Sequence, residues 1–299
     1  MNSYLEANAR ERLQHLLDAG SLEEWMPPSA RVISPHLAQL DAPVAFDDGV
    51  VIGRARVAGR SVFVAAQEGG FMGGAVGEVH GAKLVGLLQR AIRDRPEAVV
   101  LLLETGGVRL HEANAGLIAV SEVMRAVLAA RAAGIPVIVL VGGANGCFGG
   151  MGIVARCANA ILMSEEGRLA MSGPEVIETA NGVEEFDSRD RALVWRTTGG
   201  KHRYLLGDCQ TIVADSIDAF RAAALAAIDD CRMRPVELTL AALEAEQAML
   251  QERIDRFGAQ TEPATIWAAL GIPEPQQLPM LEADAFLATA APHRLGTPA

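Results

Sequence analysis

Two short runs, AVVLLLE (Ala98 to Glu104) and IPVIVLV (Ile135 to Val141), are apolar without alternation. A strand with one wet face alternates apolar and polar residues; a strand with no polar face must be covered on both sides. Between the runs, Leu117 to Ala133 reads as a helix closed by Gly134. Parallel strands joined by a crossover helix satisfy both requirements, so the middle of the chain predicts an α/β fold.

The flanking sequence extends this pattern. VVIGRARVAGRSVFVAAQ (Val50 to Gln67) reads as a hairpin turning at Gly59 and Arg60. AILMS (Ala160 to Ser164) and RLAMSG (Arg168 to Gly173) read as further strands. Helices are expected from Ser3 to near Gly20, over Val76 to Arg93, and from Pro174 in PEVIE, where proline suits a first turn. Others are expected over Asp215 to Asp230 with Asp215 as cap, over Pro235 to Arg256, and near Leu281. MPPSARVISPHLAQLDAP (Met26 to Pro43) is Pro-rich and reads as a loop or arm. The expected organisation is one domain over 1–235, including an arm over 1–45, and a helical tail over 236–299.

Composition narrows the function. The chain has 299 residues, half of them apolar but only 4% aromatic, so Ala, Leu, Val and Gly must build the interior. Its net charge of −11 repels phosphate backbones and argues against nucleic acid. No apolar run is long enough for a membrane span, and the first twenty residues do not resemble a signal peptide. The four cysteines form no C-x-x-C, and the six histidines form no ligand-spaced pair. The expectation is a reduced, cytoplasmic protein with no metal.

Three glycine-rich loops punctuate the α/β pattern: EGGFMGGAVG (Glu68 to Gly77), ETGGVRLHEANAG (Glu104 to Gly116) and LVGGANGCFGGMGI (Leu140 to Ile153). The last two directly follow the buried runs, at strand ends where ligands bind in open α/β sheets. Glycines there serve either tight turns and close packing, or backbone N–H groups aimed at a ligand oxygen. No P-loop, G-x-S-x-G elbow or H-E-x-x-H occurs. Cys147 has no evident base and reads as a small packing residue. His111 and Glu112 are either acid/base groups or residues that cap and solvate their loop. Lys201, His202 and Arg203 in TTGGKHR form a basic spot, either a solvated turn or a contact for a phosphate-bearing arm. The set favours backbone donors over a side-chain nucleophile, and the chemistry that fits is stabilisation of a thioester enolate.

ARERLQHLLDAGSLEEW, FMGGAVG, TGGVRLHEA, GIPVIVLV followed by a glycine pair, and GPEVIE stand in the order seen in the carboxyltransferase β subunit of acetyl-CoA carboxylase. Over about Ala9 to Asp230 the chain resembles that family, which implies a crotonase (ClpP-like) ββα-spiral fold. Bacterial members carry a four-cysteine zinc ribbon before the ARERLQ-like helix; here eight residues precede it and none is cysteine. The chain looks most like the β subunit of biotin-independent malonate decarboxylase.

That resemblance implies a carboxy-lyase that converts a malonyl thioester on an acyl carrier protein to the acetyl thioester and carbon dioxide. No cofactor would be bound directly; the acyl group would ride on the carrier's phosphoribosyl-dephospho-CoA. The implied partners are a γ-type subunit, the acyl carrier subunit and an acyl carrier protein transferase subunit. Gly149 and Gly150 would offer their N–H groups to the thioester carbonyl. Gly106 and Gly107 would form the neighbouring wall, with His111. Gly73, Gly74, Lys201 and His202 would contact substrate, and Phe148 would pack on the pantetheine arm or line the core. Two rivals stand beside this reading: a biotin-dependent carboxyltransferase β-type subunit and a non-catalytic scaffolding subunit.

Overall fold

The structure, a computed structural model, describes residues 2–234 and 239–296. Its N-terminal part runs α1 (Ala9–Leu16), β1 (Glu23–Trp25), α2 (Pro35–Gln39), β2 (Val50–Val57), β3 (Arg60–Gln67) and α3 (Glu78–Asp94). The centre continues as β4 (Ala98–Leu102), α4 (Asn114–Ala132), β5 (Val137–Val141), α5 (Gly150–Arg156), β6 (Ala160–Ser164), α6 (Pro174–Asn181), α7 (Arg191–Thr198) and α8 (Gly200–Leu205). Then come β7 (Thr211–Val213), α9 (Ile217–Met233), α10 (Leu240–Phe257), α11 (Pro263–Ala269) and α12 (Ala283–Ala290).

Among the described residues the strands form one sheet in sequence order, β1 to β7. β1, β2 and β3 pair antiparallel, and β3 through β7 pair parallel. β4 and β5 are buried along their whole length, as their unbroken apolar runs require. Val99, Leu101, Val137 and Val139 point into a core shared with α3, α4 and α5. Val100, Leu102, Ile138 and Leu140 point the other way, onto α1 and α9. The result is helix, sheet, helix in three layers.

A second, much shorter ladder runs beside the main sheet. Val76 bridges Val108, Thr105 bridges Cys147, and Cys147 bridges Leu169, all parallel. After β3, β4 and β5 the chain passes through one or two such bridges and then enters a helix, so each turn of the chain is β–β–α with its second β reduced to isolated bridges. This is the ββα spiral that the family resemblance implies.

Local chemistry moves several boundaries. The hairpin turns at Ala58 and Gly59, both at positive φ, a residue earlier than expected. The Asp18 carboxylate accepts from both turn N–H groups, at 2.8 and 2.7 Å. RLAMSG is not a strand: only Arg168 and Leu169 are bridged, each on a different side. Ser216, not Asp215, caps α9. The Asp215 carboxylate instead accepts from Ser3 Oγ and Leu5 N, tying down the N-terminus. The arm contains α2, and α5, α7, α8 and α11 are helices too short or too glycine-rich to stand out in the sequence. The expected start of the tail helix at Pro235, and the boundary between 235 and 236, lie outside the described residues. Trp267, Ile272, Leu278 and Phe286 of the tail join the same core as β4, β5 and β6.

Candidate active site

The three glycine loops converge. Gly106 N–H donates to the Gly73 carbonyl at 2.8 Å, joining the first loop to the second. Thr105 N–H donates to the Gly146 carbonyl and Phe148 N–H to the Thr105 carbonyl, at 2.8 and 2.9 Å, joining the second to the third. A Cβ built on Gly149 would lie 3.1 Å from Gly107 Cα, so the two backbones meet with no side chain between them.

Each loop glycine has its own physical reason. Glu104, at the end of β4, is buried, and its carboxylate sits where a Cβ on Gly69 or Gly143 would be, at 2.5 and 2.4 Å. It pairs with the buried Arg12 guanidinium of α1 and accepts from Asn145 N–H at 3.1 Å. An ion pair this deep needs every lone pair engaged, and the glycines make room for it. Gly150 packs on Val120, and a Cβ there would lie 2.5 Å from Val120 Cγ1. Gly149 adopts φ 63 and ψ −142, a conformation for which a side chain is a burden.

The N–H groups of the expected donor pair, Gly149 and Gly150, differ in whether the protein engages them. Gly149 N–H already donates to the Met171 carbonyl at 2.9 Å. Gly150 is the first residue of α5, and among the described residues nothing accepts from its N–H. Of the two, Gly150 is the one whose N–H stays unengaged among the described residues, and Gly149 forms the turn that precedes it. Gly106 and Gly107 also have engaged N–H groups, the former on the Gly73 carbonyl and the latter on Thr105 Oγ1 at 3.1 Å. Gly73 and Gly74 both have positive φ, and a Cβ on Gly74 would run into the Glu104 carbonyl.

The side chains divide between site and scaffold. His111 is exposed on the short turn after Gly107, in reach of solvent. Glu112 is buried and takes the capping role: it accepts from Glu78 N–H at the start of α3 and from Arg109 Nη1 at 3.2 Å. Phe148 is buried beneath the Arg168 guanidinium, 5.8 Å from ring centre to Cζ, so in this chain it lines the interior. Burial pushes the Cys147 thiol up to about 12, which suits a packing residue and not a nucleophile.

Lys201 and His202 both have partners within the protein. Lys201 is buried, and its Nζ donates to the Pro279 and Leu281 carbonyls and to Glu165, each at 2.7 Å. His202 is buried, and its Nδ1 accepts from Trp267 Nε1 at 3.1 Å. Burial, then the neighbouring Arg203, holds its pKa down to about 3. Both side chains fasten the tail to the core.

A buried charge network below the loops is invisible in local sequence. Arg109 Nη1 donates to Asp48 Oδ2 at 2.8 Å as well as to Glu112, with all three side chains fully buried. Asp48 also accepts from Ser34 N and His80 N. Arg109 additionally stacks on Phe71 of the first loop, at 5.1 Å. One guanidinium thus links the arm, α3 and two glycine loops.

Comparison with known proteins fits this geometry. The carboxyl transferase domain model matches residues 6–222. The malonyl-S-ACP:biotin-protein carboxyltransferase of Malonomonas rubra is 42% identical over 96% of this chain and 95% of its own. The acetyl-coenzyme A carboxylase carboxyl transferase subunit β of Fusobacterium nucleatum is 31% identical over 59% of this chain and 60% of its own. Among solved structures, a Pseudomonas malonate decarboxylase hetero-tetramer in complex with malonate aligns at TM-score 0.75 and 39% identity, over 84% of this chain and 91% of that one. From the ββα spiral, the converging glycine loops and these matches, the chain belongs to the carboxyl transferase domain family.

Proposed function

We propose that this chain is the β-type subunit of a malonate decarboxylase and acts on a malonyl thioester carried by an acyl carrier protein. The observation that carries the reading is the Gly150 N–H, unengaged at the start of α5 where the three glycine loops meet. When the malonyl carboxylate leaves as carbon dioxide, the C–C electron pair moves toward the thioester and charge collects on its oxygen. A fixed N–H donor aimed at that oxygen stabilises the enolate more than the ground state, because the site need not reorganise as charge develops. Protonation of the enolate carbon then gives the acetyl thioester. The thioester handle is the carrier's phosphoribosyl-dephospho-CoA group.

A γ-type partner completes the site. The rim beside His111 exposes Leu110, Leu117 and Ile118, at 84%, 56% and 60%. Exposed apolar side chains grouped in this way are surface that a partner would cover. The solved relative is a hetero-tetramer, which supports a multi-subunit assembly. The acyl carrier and its transferase subunit complete the proposed set of partners. No described helix is long and apolar enough to cross a membrane, in keeping with a cytoplasmic enzyme.

A second reading has a specific observation behind it. The relative from Malonomonas rubra is named for transfer to a biotin protein, and it is 42% identical. Transfer shares the enolate but delivers the carboxyl group to biotin. The test is carbon dioxide release from a malonyl thioester by this chain co-purified with its γ-type partner, without biotin and with each subunit alone as control. Biotin-independent release by the pair is expected. No release, but transfer of the carboxyl group to a biotinylated acceptor once one is added, would establish the transferase instead.

A further inference from the structure

Beyond the carboxyl ends of β5 and β6, past Ala144 and Glu166, lies a cavity of about 510 Å³. Ligands of open α/β sheets gather at such strand ends. Arg168, Arg189 and Arg191 all line it, in a chain whose net charge is −11. Among the described residues none of the three makes an ion pair within 4 Å, whereas most arginines elsewhere do. Arg168 is fixed by its bond to the Ala144 carbonyl and by the Phe148 ring, while Arg189 and Arg191 are exposed at the mouth. Glu166 is the single acidic side chain on the lining, which leaves an excess of two positive charges.

Trp195 lines this cavity and also a second one of about 610 Å³. The charges of the second cavity are internally matched: Lys201 pairs with Glu165 at 2.7 Å and Arg196 with Glu262 at 3.5 Å. Its remaining surface includes Trp195, 40% exposed, Met280, and the amide of Gln276. Guanidinium groups without ion pairs in one cavity, and a charge-matched, aromatic-lined second cavity that shares Trp195 with it, match a ligand with the same two halves.

We propose that the two cavities joined at Trp195 bind a nucleoside phosphate, its phosphates on Arg168, Arg189 and Arg191 and its base against Trp195. The nucleotide end of the thioester handle and a free nucleotide share this chemistry. Binding at this site does not depend on the reaction that the glycine loops perform.

The test is calorimetric titration of the chain, co-purified with its partner, with ADP and separately with inorganic pyrophosphate. Both should bind. Arg189→Ala combined with Arg191→Ala should weaken both by about tenfold or more, the scale of one or two charge-assisted hydrogen bonds. Trp195→Ala should weaken ADP and leave pyrophosphate unchanged, and Glu166→Gln should tighten both. The arginine variants should turn over malonyl-pantetheine, which has no phosphate, at the parent rate. Competition between ADP and malonyl-CoA would assign the site to the thioester handle; binding without competition would assign it to a free nucleotide. Absence of ADP and pyrophosphate binding, or binding that all these variants leave unchanged, would overturn the proposal whether or not decarboxylation is observed.

Discussion

Gly107 and Gly149 face each other so closely that a Cβ on the second would sit 3.1 Å from the Cα of the first. That contact fixes where α5 begins, and so where the Gly150 N–H points. The donor can be removed without changing the space. Val120→Ala makes room for a side chain at position 150, and proline is tolerated at the first residue of a helix. Gly150→Ala with Val120→Ala keeps the N–H; Gly150→Pro with Val120→Ala deletes it. The proline pair should have kcat about 10²–10³ lower than the alanine pair, the usual loss for one oxyanion donor. Equal turnover by the two assembled complexes would remove Gly150 from the chemistry and favour a scaffolding role for the chain.

Glu104 has its carboxylate wedged among glycines and paired with Arg12, ninety-two residues earlier in the chain. Arg12→Ala would leave a buried carboxylate without its cation, which costs about 3–5 kcal/mol. Arg12→Met with Glu104→Gln removes both charges and should recover much of that loss, because the pair's desolvation cost also disappears. Denaturant unfolding of the two variants checks this. A single variant as stable as the parent would show that the ion pair does not hold the loops.

What was legible in the sequence follows from what is local. β4 and β5 could be read because a strand buried on both faces has no polar residue to hide it. The glycine loops could be found for the same reason, since no packed strand or helix interior holds so much glycine. Their purposes could not all be read: Gly69 and Gly143 make room for Glu104, and Glu104 is buried only because Arg12 folds back onto it. Lys201 and His202 look like a surface basic spot until the tail supplies Pro279, Leu281 and Trp267 to satisfy them. Asp48 and Arg109 carry no signal in their local sequence, and Glu112 reads only as an acid/base group or a loop cap. Their burial depends on all three arriving together. A basic residue's neighbours in sequence say little about the acceptors that reach it from eighty residues away.

The lysine gives a direct contrast between the two readings. If Lys201 fastens the tail, Lys201→Met should cost about 1–3 kcal/mol through the lost charged hydrogen bonds. It should also open 263–290 to limited proteolysis, with KM for the thioester unchanged. A raised KM with unaltered melting and proteolysis would return Lys201 to substrate binding.

His202 also makes stability depend on pH. Its folded pKa is held at about 3, against an ordinary value of 6.5, chiefly by burial. Burial, and next to it Arg109, lowers His80 in the same direction. Between the two pKa values the unfolded chain binds more protons than the folded one, so stability rises with pH through this window and levels off above about 6.5. Equivalently, acid removes stability from about pH 6.5 down toward pH 3, at up to about 1.4 kcal/mol per unit for each histidine that must stay neutral. His202→Gln keeps an acceptor for Trp267 Nε1 but cannot be protonated there. Urea unfolding free energies measured between pH 7.5 and 5 should fall less steeply for this variant than for the parent, by the slope of one proton. Parallel curves would mean that His202 is protonated in the folded protein, and that its bond to Trp267 is not the one described here.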